Sequence, residues 1–389
     1  MKKENLLITG ANGQMGSVLV KELQKIYGED HVITSDIRTN ENFNGIFEIL
    51  DVTDGNRLND LVKKHQITQI YHLAAILSAS GELNPIQTWD VNMKTFLNIL
   101  EVSTVNAIDK VFFPSSIAVF GKNAPKIKTP QDFVLTPSTV YGMSKVAGEN
   151  WAQYYFQKHK LDVRSLRYPG VIGHQSLPGG GTTDYAVDIY HKALAKVDFE
   201  CYLKNDRTLP MIYMEDAIRA TVELMMAPKE NINVRTAYNL SGMSFSPEEI
   251  ATSIQKIYPK FKIKYKIDFR DEIASSWPSS TDDSSAKKDW SWKPHFDIDQ
   301  MTEIMITELK STNSKNIKRT KIMSGIPSRI KLSALPIPIP SMKTNMHHKA
   351  GTVRLLLKAP ETHNNTQPIY RPITALKMLD KLLSATSIP

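Results

Sequence analysis

The sequence has little or none of several features that define whole classes of protein. It contains one cysteine, Cys201, which excludes an internal disulfide or a thiolate metal cluster and suits a reducing compartment. No uninterrupted apolar run reaches the roughly 18 residues that a membrane helix needs. A strand-like pattern begins within a few residues of Met1, where a secretory signal would otherwise lie. We therefore expect a cytoplasmic protein that has no membrane partner.

Acidic residues are scarce at the C-terminus, and this scarcity explains the net charge. From residue 311 to the end there are thirteen Lys and Arg against two Asp and Glu, a net charge of +11. Because the whole chain carries +8, residues 1–310 carry −3. A mildly acidic body gives no reason to expect nucleic acid as a partner.

The first 170 residues alternate between strand-like and helix-like patterns. Helical periodicity appears at residues 58–64, 95–102 and 144–155. Short apolar runs, typical of strands buried on both faces of a parallel sheet, lie at residues 6–9, 32–36, 47–50, 70–73, 111–114 and 163–167. The alternation predicts an α/β fold, a doubly wound parallel sheet of the Rossmann type, over residues 1–170.

The pattern changes after this region. Residues 171–311 predict a smaller C-terminal lobe that covers the substrate, with part of the chain able to return to the Rossmann sheet. Residues 312–389 are basic, hold eight of the 21 prolines and predict a disordered tail, with a short helix possible at 373–383. His347 and His348 lack a third ligand at helical spacing, so we predict no metal.

A glycine turn joins the first strand to the first helix and carries most of the functional information. Gly10, Gly13 and Gly16 allow the backbone to approach a pyrophosphate at the N-terminus of a helix, although an ordinary strand-turn-helix can look the same. Asp36 ends the next strand, 20 residues past Gly16, where a carboxylate accepts hydrogen bonds from the adenosine ribose. The same charge would repel a 2′-phosphate, so NAD is favoured over NADP, although Arg38 lies nearby.

The motif Tyr-x-x-x-Lys occurs three times, at Tyr141, Tyr154 and Tyr258, and chance alone accounts for one or two occurrences. Tyr258 precedes a proline, and Tyr154 lies in an aromatic cluster. Tyr141 instead opens a helix after a loop, with Lys145 one turn on and on the same face.

Alcohol oxidation explains why these residue types would act together. The reaction requires a base for the hydroxyl proton, and a phenol with its ordinary pKa near 10 is a poor base at neutral pH. A lysine ammonium beside the phenol is expected to lower its pKa. Ser116, which follows the strand at 111–114, would hold the substrate oxygen. We predict Ser116, Tyr141 and Lys145 as the catalytic set; the alternative is a group of polar surface residues around a helix start.

The sequence resembles the extended short-chain dehydrogenases of the NAD-dependent epimerase/dehydratase family over about residues 5–310. Within that family it is most similar to the short-chain-type L-threonine 3-dehydrogenases of threonine catabolism. The segments that carry the resemblance are Gly-Gln-Met-Gly at 13–16, Ser-Asp-Ile-Arg at 35–38, His-Leu-Ala-Ala-Ile-Leu-Ser-Ala at 72–79, Pro-Ser-Ser-Ile-Ala-Val-Phe-Gly at 114–121, Tyr-Gly-Met-Ser-Lys at 141–145, Leu-Arg-Tyr-Pro-Gly at 166–170, Pro-Gly-Gly-Gly-Thr-Thr-Asp-Tyr-Ala at 178–186, Leu-Pro-Met-Ile-Tyr-Met at 209–214 and Ser-Trp-Pro at 276–278.

The resemblance implies roles for further residues. The pyrophosphate would lie on Gly10, Gly13, Gln14, Met15 and Gly16. The rest of the NAD would contact Asp36, Asp51, Val52, Leu73, Ala74, Ala75, Tyr141, Lys145, Tyr168 and Pro169. The substrate would contact Ser78, Ser116, Tyr141, Thr182, Thr183, Asp184 and Trp277, the last of which is equally compatible with a core position.

These residues suit an amino acid, because Asp184 can pair with an ammonium and the hydroxyls can bind a carboxylate. We therefore predict NAD-dependent oxidation of L-threonine at C3 to 2-amino-3-oxobutanoate by a homodimer. Two alternatives stay open: a nucleotide-sugar epimerase or dehydratase, and a non-catalytic NAD-binding scaffold with a basic interaction tail. The family pattern ends near Leu309, so about eighty further residues depart from it.

Overall fold

The short apolar runs of the sequence form strands, and the periodic segments between them form helices. The structure, a computed structural model, describes residues 4–40, 43–175, 177–179 and 181–324, with side chains as far as residue 312. All of them belong to one unit, Met1–Ile326. The strands are β1 Leu6–Thr9, β2 Val32–Asp36, β3 Phe47–Ile49, β4 Gln69–His72, β5 Lys110–Ser116, β6 Asp162–Tyr168, β7 Gly170–Ile172, β8 Phe199–Cys201, β9 Leu209–Tyr213, β10 Tyr238–Asn239, β11 Met243–Phe245 and β12 Ile263–Tyr265. The helices are α1 Gln14–Tyr27, α2 Gly55–Lys64, α3 Ser78–Gly81, α4 Pro85–Val105, α5 Val140–His159, α6 Tyr185–Ala195, α7 Met214–Met226, α8 Pro247–Ile257, α9 Phe269–Ser275, α10 Ser284–Trp290 and α11 Ile298–Ser324.

The central sheet has seven strands in the order β3-β2-β1-β4-β5-β6-β10, and every neighbouring pair is parallel. The chain moves outward in one direction from β1 to β3 and in the other from β4 onward. The strand order therefore reverses between β1 and β4, which opens a crevice at their carboxyl ends. The predicted doubly wound Rossmann sheet is confirmed.

Both faces of this sheet are buried at β1, β2 and β4 to β6, as the unbroken apolar runs predict, whereas the edge strand β3 is only partly buried. Leu7, Ile33 and Val111 belong to the core on one face, which contains residues of α2, α4 and α5. Leu6 and Val32 belong to the core on the other face, which contains residues of α1 and α7. Adjacent strand residues face opposite sides, so each strand stabilises two helical layers.

A third core forms the smaller lobe. It contains buried residues of α6, α8, β8, β9 and α11, including Tyr190 and Met305. Two small sheets frame this lobe, one in the order β11-β9-β7 and one that pairs β12 with β8. Cys201 is buried in the same core.

Not all of residues 171–311 belong to the smaller lobe, because two parts of this range return to the central sheet and its core. β10 pairs with β6 in the central sheet, and Trp290 and Trp292 pack in the same core as β1 and α7. A two-residue strand is too short to show any periodicity, so the sequence pattern indicated only that some of the chain could return to the sheet.

The last described helix runs past the predicted start of the tail at residue 312. α11 is anchored by Met301, Met305 and Leu309 and continues to Ser324. Its extension contains no glycine or proline before Gly325, so nothing in the local sequence ends it sooner. His347, His348 and the possible helix at 373–383 lie outside the described residues. Within the described residues, no helix has the length and apolar character needed to cross a membrane.

Candidate active site

Four strands of the central sheet end at one cavity. Gly10 follows β1, Leu73 follows β4, Ser116 ends β5 and Tyr168 ends β6, and all four residues line the cavity wall. The space amounts to about 1100 Å³ including its mouth. The carboxyl ends of parallel strands at a reversal of strand order are the usual ligand position in this architecture.

The glycine turn forms a cradle that only glycine permits. Gly10 has a φ of +71°, and a Cβ there would lie 2.7 Å from the Ala74 backbone nitrogen. A Cβ on Gly16 would lie 2.3 Å from the Gly10 carbonyl oxygen. No side chain described in the structure caps α1, whose first residues Gln14 and Met15 line the cavity with Gly13. Uncapped N–H groups beside a close backbone turn fit a pyrophosphate.

Asp36 lies beside this cradle rather than on the cavity wall. Its carboxylate accepts hydrogen bonds from the backbone N–H of Asn12, at 3.1 Å, and of Arg38, at 3.4 Å. Because Asn12 belongs to the glycine turn, this contact joins the end of β2 to the cradle. The position is the one expected for a group that meets the adenosine ribose.

Three other predicted NAD contacts also lie off the cavity wall. Asp51 follows β3 and accepts hydrogen bonds from the backbone N–H and the hydroxyl of Thr53. Val52 is buried in the same core as Leu7 and Ile33. Ala74 lines a second, smaller cavity together with His72 and Lys145.

The predicted catalytic residues meet at the start of α5. The Thr139 hydroxyl accepts a hydrogen bond from the Gly142 backbone N–H and so caps the helix two residues before Tyr141. Tyr141 is the second residue of the helix. Ser116, Tyr141 and Lys145 all line the cavity. The other two Tyr-x-x-x-Lys pairs are remote from it: Tyr154 is exposed on α5, and Tyr258 follows α8.

Burial dominates the ionisation of this pair. It raises the pKa of Tyr141 to about 12, an effect that a hydrogen bond with Ser116 opposes. It also lowers the pKa of Lys145 to about 7, an effect that the Glu149 carboxylate opposes. The expectation that Lys145 lowers the pKa of Tyr141 is therefore wrong for the ligand-free protein, because low polarity penalises both charged forms at once.

Glu149 is a residue that sequence reasoning missed. Its carboxylate accepts hydrogen bonds from the Ser115 hydroxyl at 2.6 Å and from the Arg167 guanidinium at 2.8 and 3.0 Å. Both partners of the ion pair are buried. Glu149 thus connects β5, β6 and the helix that carries Tyr141. Its position four residues after Lys145 on the same helix was the available signal.

The opposite wall of the cavity carries the predicted substrate residues. The Ser78 and Thr182 hydroxyls are 3.2 Å apart, and both side chains are buried. The Asp184 carboxylate accepts a hydrogen bond from the Gly181 backbone N–H. The predicted residues on the wall are Gly10, Gly13, Gln14, Met15, Gly16, Leu73, Ala75, Ser78, Ser116, Tyr141, Lys145, Tyr168, Pro169, Thr182, Thr183, Asp184 and Trp277. The wall also contains residues that were not predicted, namely Leu77, Pro114, Ser115, Ile117, Gly170, Val171 and Gly181.

The wall has little positive charge. Among the described residues that line the cavity, Lys145 is the only lysine or arginine. Arginine and lysine are favoured partners of phosphate groups, and the described residues of this wall offer a nucleotide-sugar diphosphate only Lys145. The cavity therefore suits a small polar substrate better.

Comparisons with known proteins agree with this geometry. Residues 6–241 match the NAD dependent epimerase/dehydratase family. The chain is 45% identical to an uncharacterized epimerase/dehydratase of Staphylococcus saprophyticus over 82% of its own length and 100% of that protein.

The similar solved structures include two L-threonine dehydrogenases that are matched over nearly their whole length. A GalE-like L-threonine dehydrogenase from Cupriavidus necator, in its holo form, is 49% identical with a TM-score of 0.77, over 78% of this chain and 99% of that one. A monomeric L-threonine 3-dehydrogenase from a metagenome is 47% identical with a TM-score of 0.77, over 79% and 99%. The chain therefore belongs to the NAD-dependent epimerase/dehydratase family, and NAD is its cofactor.

Proposed function

We propose that this protein oxidises L-threonine at C3 to 2-amino-3-oxobutanoate with NAD as the electron acceptor. The observation that carries the proposal is one cavity that joins the glycine cradle, the Ser116, Tyr141 and Lys145 set, and a hydroxyl-lined wall with almost no positive charge. The similar L-threonine dehydrogenases support it independently.

The cradle and the strand ends would hold NAD through their backbone and side chains. Gly10, Gly13 and Gly16 would face the pyrophosphate, and Asp36 the adenosine ribose. Tyr168 and Pro169 would pack near the nicotinamide. When bound, NAD supplies the acceptor for the hydrogen and two electrons that leave C3.

Tyr141 would remove the proton from the threonine hydroxyl as C3 is oxidised. Because its pKa in the ligand-free site is about 12, the phenolate needs stabilisation from its surroundings. The Ser116 hydroxyl opposes the rise of that pKa and would also hold the substrate oxygen. Protonated Lys145 would stabilise the phenolate, and the same side chain would bind the nicotinamide ribose.

The opposite wall would orient the zwitterion. Asp184 offers a carboxylate to the substrate ammonium, while Ser78, Thr182 and Thr183 offer hydroxyl donors to its carboxylate. Trp277 would cover the pocket, since this residue lines the cavity and is only 5% exposed. Water exclusion strengthens each of these polar contacts.

A homodimer is part of the same proposal. α4 and α5 pack together and leave exposed apolar side chains, which include Ile86 and Trp89 on α4 and Met143, Trp151 and Tyr154 on α5. Exposed apolar groups on a pair of packed helices are compatible with a protein interface. One of the similar dehydrogenases is a monomer by its name, and sedimentation of this protein distinguishes the two states.

The test of the proposed function is the appearance of NADH absorbance with purified protein and NAD. L-Threonine should produce NADH, while D-threonine, L-serine and a UDP-sugar should produce much less. Conversion of the UDP-sugar to a new sugar nucleotide, detected by chromatography and without net NADH, would indicate an epimerase or dehydratase, because those reactions return the hydride to the sugar. Absence of turnover with every substrate, together with NAD binding, would indicate the non-catalytic scaffold.

A further inference from the structure

The segment that carries Trp277 is held by contacts that do not involve the Trp277 indole nitrogen. Trp277 lines the cavity and is buried, yet its indole N–H has no hydrogen-bond partner among the described residues. A buried donor without a partner is destabilising. The Trp277 loop, residues 275–281, must therefore be held by contacts other than those of the indole nitrogen.

Lys126 supplies the most direct of these contacts. Its ammonium nitrogen lies 2.8 Å from the Ser275 carbonyl oxygen and 2.8 Å from the Trp277 carbonyl oxygen. Ser275 is the last residue of α9, whose final carbonyls have no partner within the helix. A cation at the C-terminus of a helix is favourable, so Lys126 fixes the backbone on both sides of the Trp277 side chain.

The backbone around Lys126 reinforces this contact. The Lys126 carbonyl accepts hydrogen bonds from the N–H groups of Ser279 and Ser280, at 2.7 and 3.1 Å. The Thr129 N–H donates to the Ser280 carbonyl at 3.0 Å, and Thr129 forms a parallel bridge with Thr281. We call residues 125–129 the latch, because they bind the Trp277 loop at several consecutive positions.

The Trp277 loop also contacts the segment that leads into the catalytic helix. The hydroxyls of Ser138 and Ser276 are 2.8 Å apart, and Ser138 lies two residues before α5. The loop is thus held between the latch on one side and the start of the Tyr141 helix on the other. A shift of the loop would move the wall of the cavity relative to Tyr141.

We propose that Lys126 is a positioning residue, which holds the Trp277 loop in place and thereby shapes the substrate side of the cavity. Lys126 does not line the cavity and acts through the backbone of residues 275–277. The structural part of this inference stands alone, whereas its effect on threonine rests on the proposed function.

Hydrogen exchange tests the structural part without any substrate. Lys126→Met keeps the apolar stem and removes the donors, so the amides of residues 276–282 should exchange faster than in the wild type. The matched control is Lys122→Met on the same loop, where the exposed ammonium lies 3.9 Å from the Glu272 carboxylate. The control should exchange like the wild type, and Lys126→Arg should restore most of the protection.

Kinetics tests the positioning part. Lys126→Met should raise KM for L-threonine about tenfold and leave the Kd for NAD unchanged, because the loop lies on the substrate side. Lys122→Met should keep the wild-type KM, and Lys126→Arg should recover much of the affinity.

Amide hydrogen exchange at residues 276–282 that is no faster in Lys126→Met than in the wild type would show that Lys126 does not hold the Trp277 loop. Faster exchange with an unchanged KM would overturn the positioning role. A wild-type protein that does not oxidise L-threonine would instead contradict the proposed function, and the exchange comparison would still decide the latch.

Discussion

The Lys145 ammonium nitrogen lies 5.3 Å from the centre of the Tyr141 ring, one helical turn along α5. It also lies 4.5 Å from the centre of the Phe113 ring. The lysine is therefore held by two aromatic faces in a buried position, close to the phenol that would act as the base. Cation–π contacts of this kind are stronger when the cation is removed from water.

Tyr141→Phe should abolish nearly all turnover, because the variant keeps the ring and loses the proton acceptor. General base catalysis contributes about 10²- to 10⁴-fold, which sets the expected loss in kcat. NADH formation and NAD affinity should be measured together, since NAD should still bind. The control is Tyr154→Phe, an exposed tyrosine on the same helix. Wild-type turnover in Tyr141→Phe would show that another group is the base.

The pH dependence should follow the high pKa of Tyr141, which is about 12 in the ligand-free site. The base acts when deprotonated, and the deprotonated fraction grows with pH below the pKa. The value of kcat/KM should therefore rise with pH from about pH 6, and the rise should become shallower above about pH 7, where the buried Lys145 loses the charge that stabilises the phenolate. A kcat/KM that does not change between about pH 6 and about pH 7 would contradict this assignment, and the rate should be measured at constant ionic strength.

Asp36→Ala should weaken the binding of NAD and reduce the preference for NAD over NADP. The carboxylate is a charged acceptor, and the loss of one such hydrogen bond costs about 1.5–3 kcal/mol, or about 10- to 150-fold in affinity. The Kd values for both cofactors give the comparison. The control is Asp30→Ala, which removes an exposed carboxylate just before β2. An unchanged preference for NAD would contradict the role of Asp36.

Glu149→Ala should destabilise the protein by about 3–5 kcal/mol, because it leaves the buried Arg167 guanidinium without its carboxylate. The free energy of unfolding in denaturant measures the loss. The double variant Glu149→Leu with Arg167→Met removes both charges and should recover much of the stability. Equal destabilisation of the single and double variants would show that packing, rather than an unpaired charge, is responsible.

Trp151→Glu should dissociate the proposed homodimer. Trp151 is 37% exposed on α5 and contacts the exposed Tyr154 ring, so a charge there would be buried in the interface. Sedimentation measures the mass of each protein. The control is Ile26→Glu, a comparable exposed apolar residue on α1. A wild-type protein that sediments as a monomer would contradict the dimer.

The first half of the fold could be predicted because its signals are local. The apolar runs that became β1, β2 and β4 to β6 are buried on both faces, and the glycine turn has a steric requirement that shows directly in the residue types. The sequence allowed part of the chain to return to the central sheet but could not identify β10 as the strand that does so, since two residues carry no periodicity. The pairing instead depends on Tyr238 packing beside β6 from a distant part of the chain.

The site was predicted unevenly for a similar reason. Tyr141 and Lys145 are one turn apart, so their proximity follows from the helix alone. Lys126 and Trp277 are 151 residues apart, and no local pattern connects them. Glu149 lies one helical turn from Lys145, so that proximity could be predicted. Its contacts with Ser115 on β5 and Arg167 on β6 could not be predicted from spacing.

Residue types and short spacings thus sufficed for the positions of the first strands and for the glycine turn that indicated NAD, because these depend on contacts within about one turn or one strand. The family instead followed from the resemblance of longer segments. Ionisation depended on the folded environment. The spacing of Tyr141 and Lys145 suggested a lowered pKa for the phenol, but burial raises the pKa of Tyr141 and lowers that of Lys145, because it opposes both charged forms. Desolvation is a property of everything packed around a group, and the chain brings those neighbours together from distant positions only when it folds.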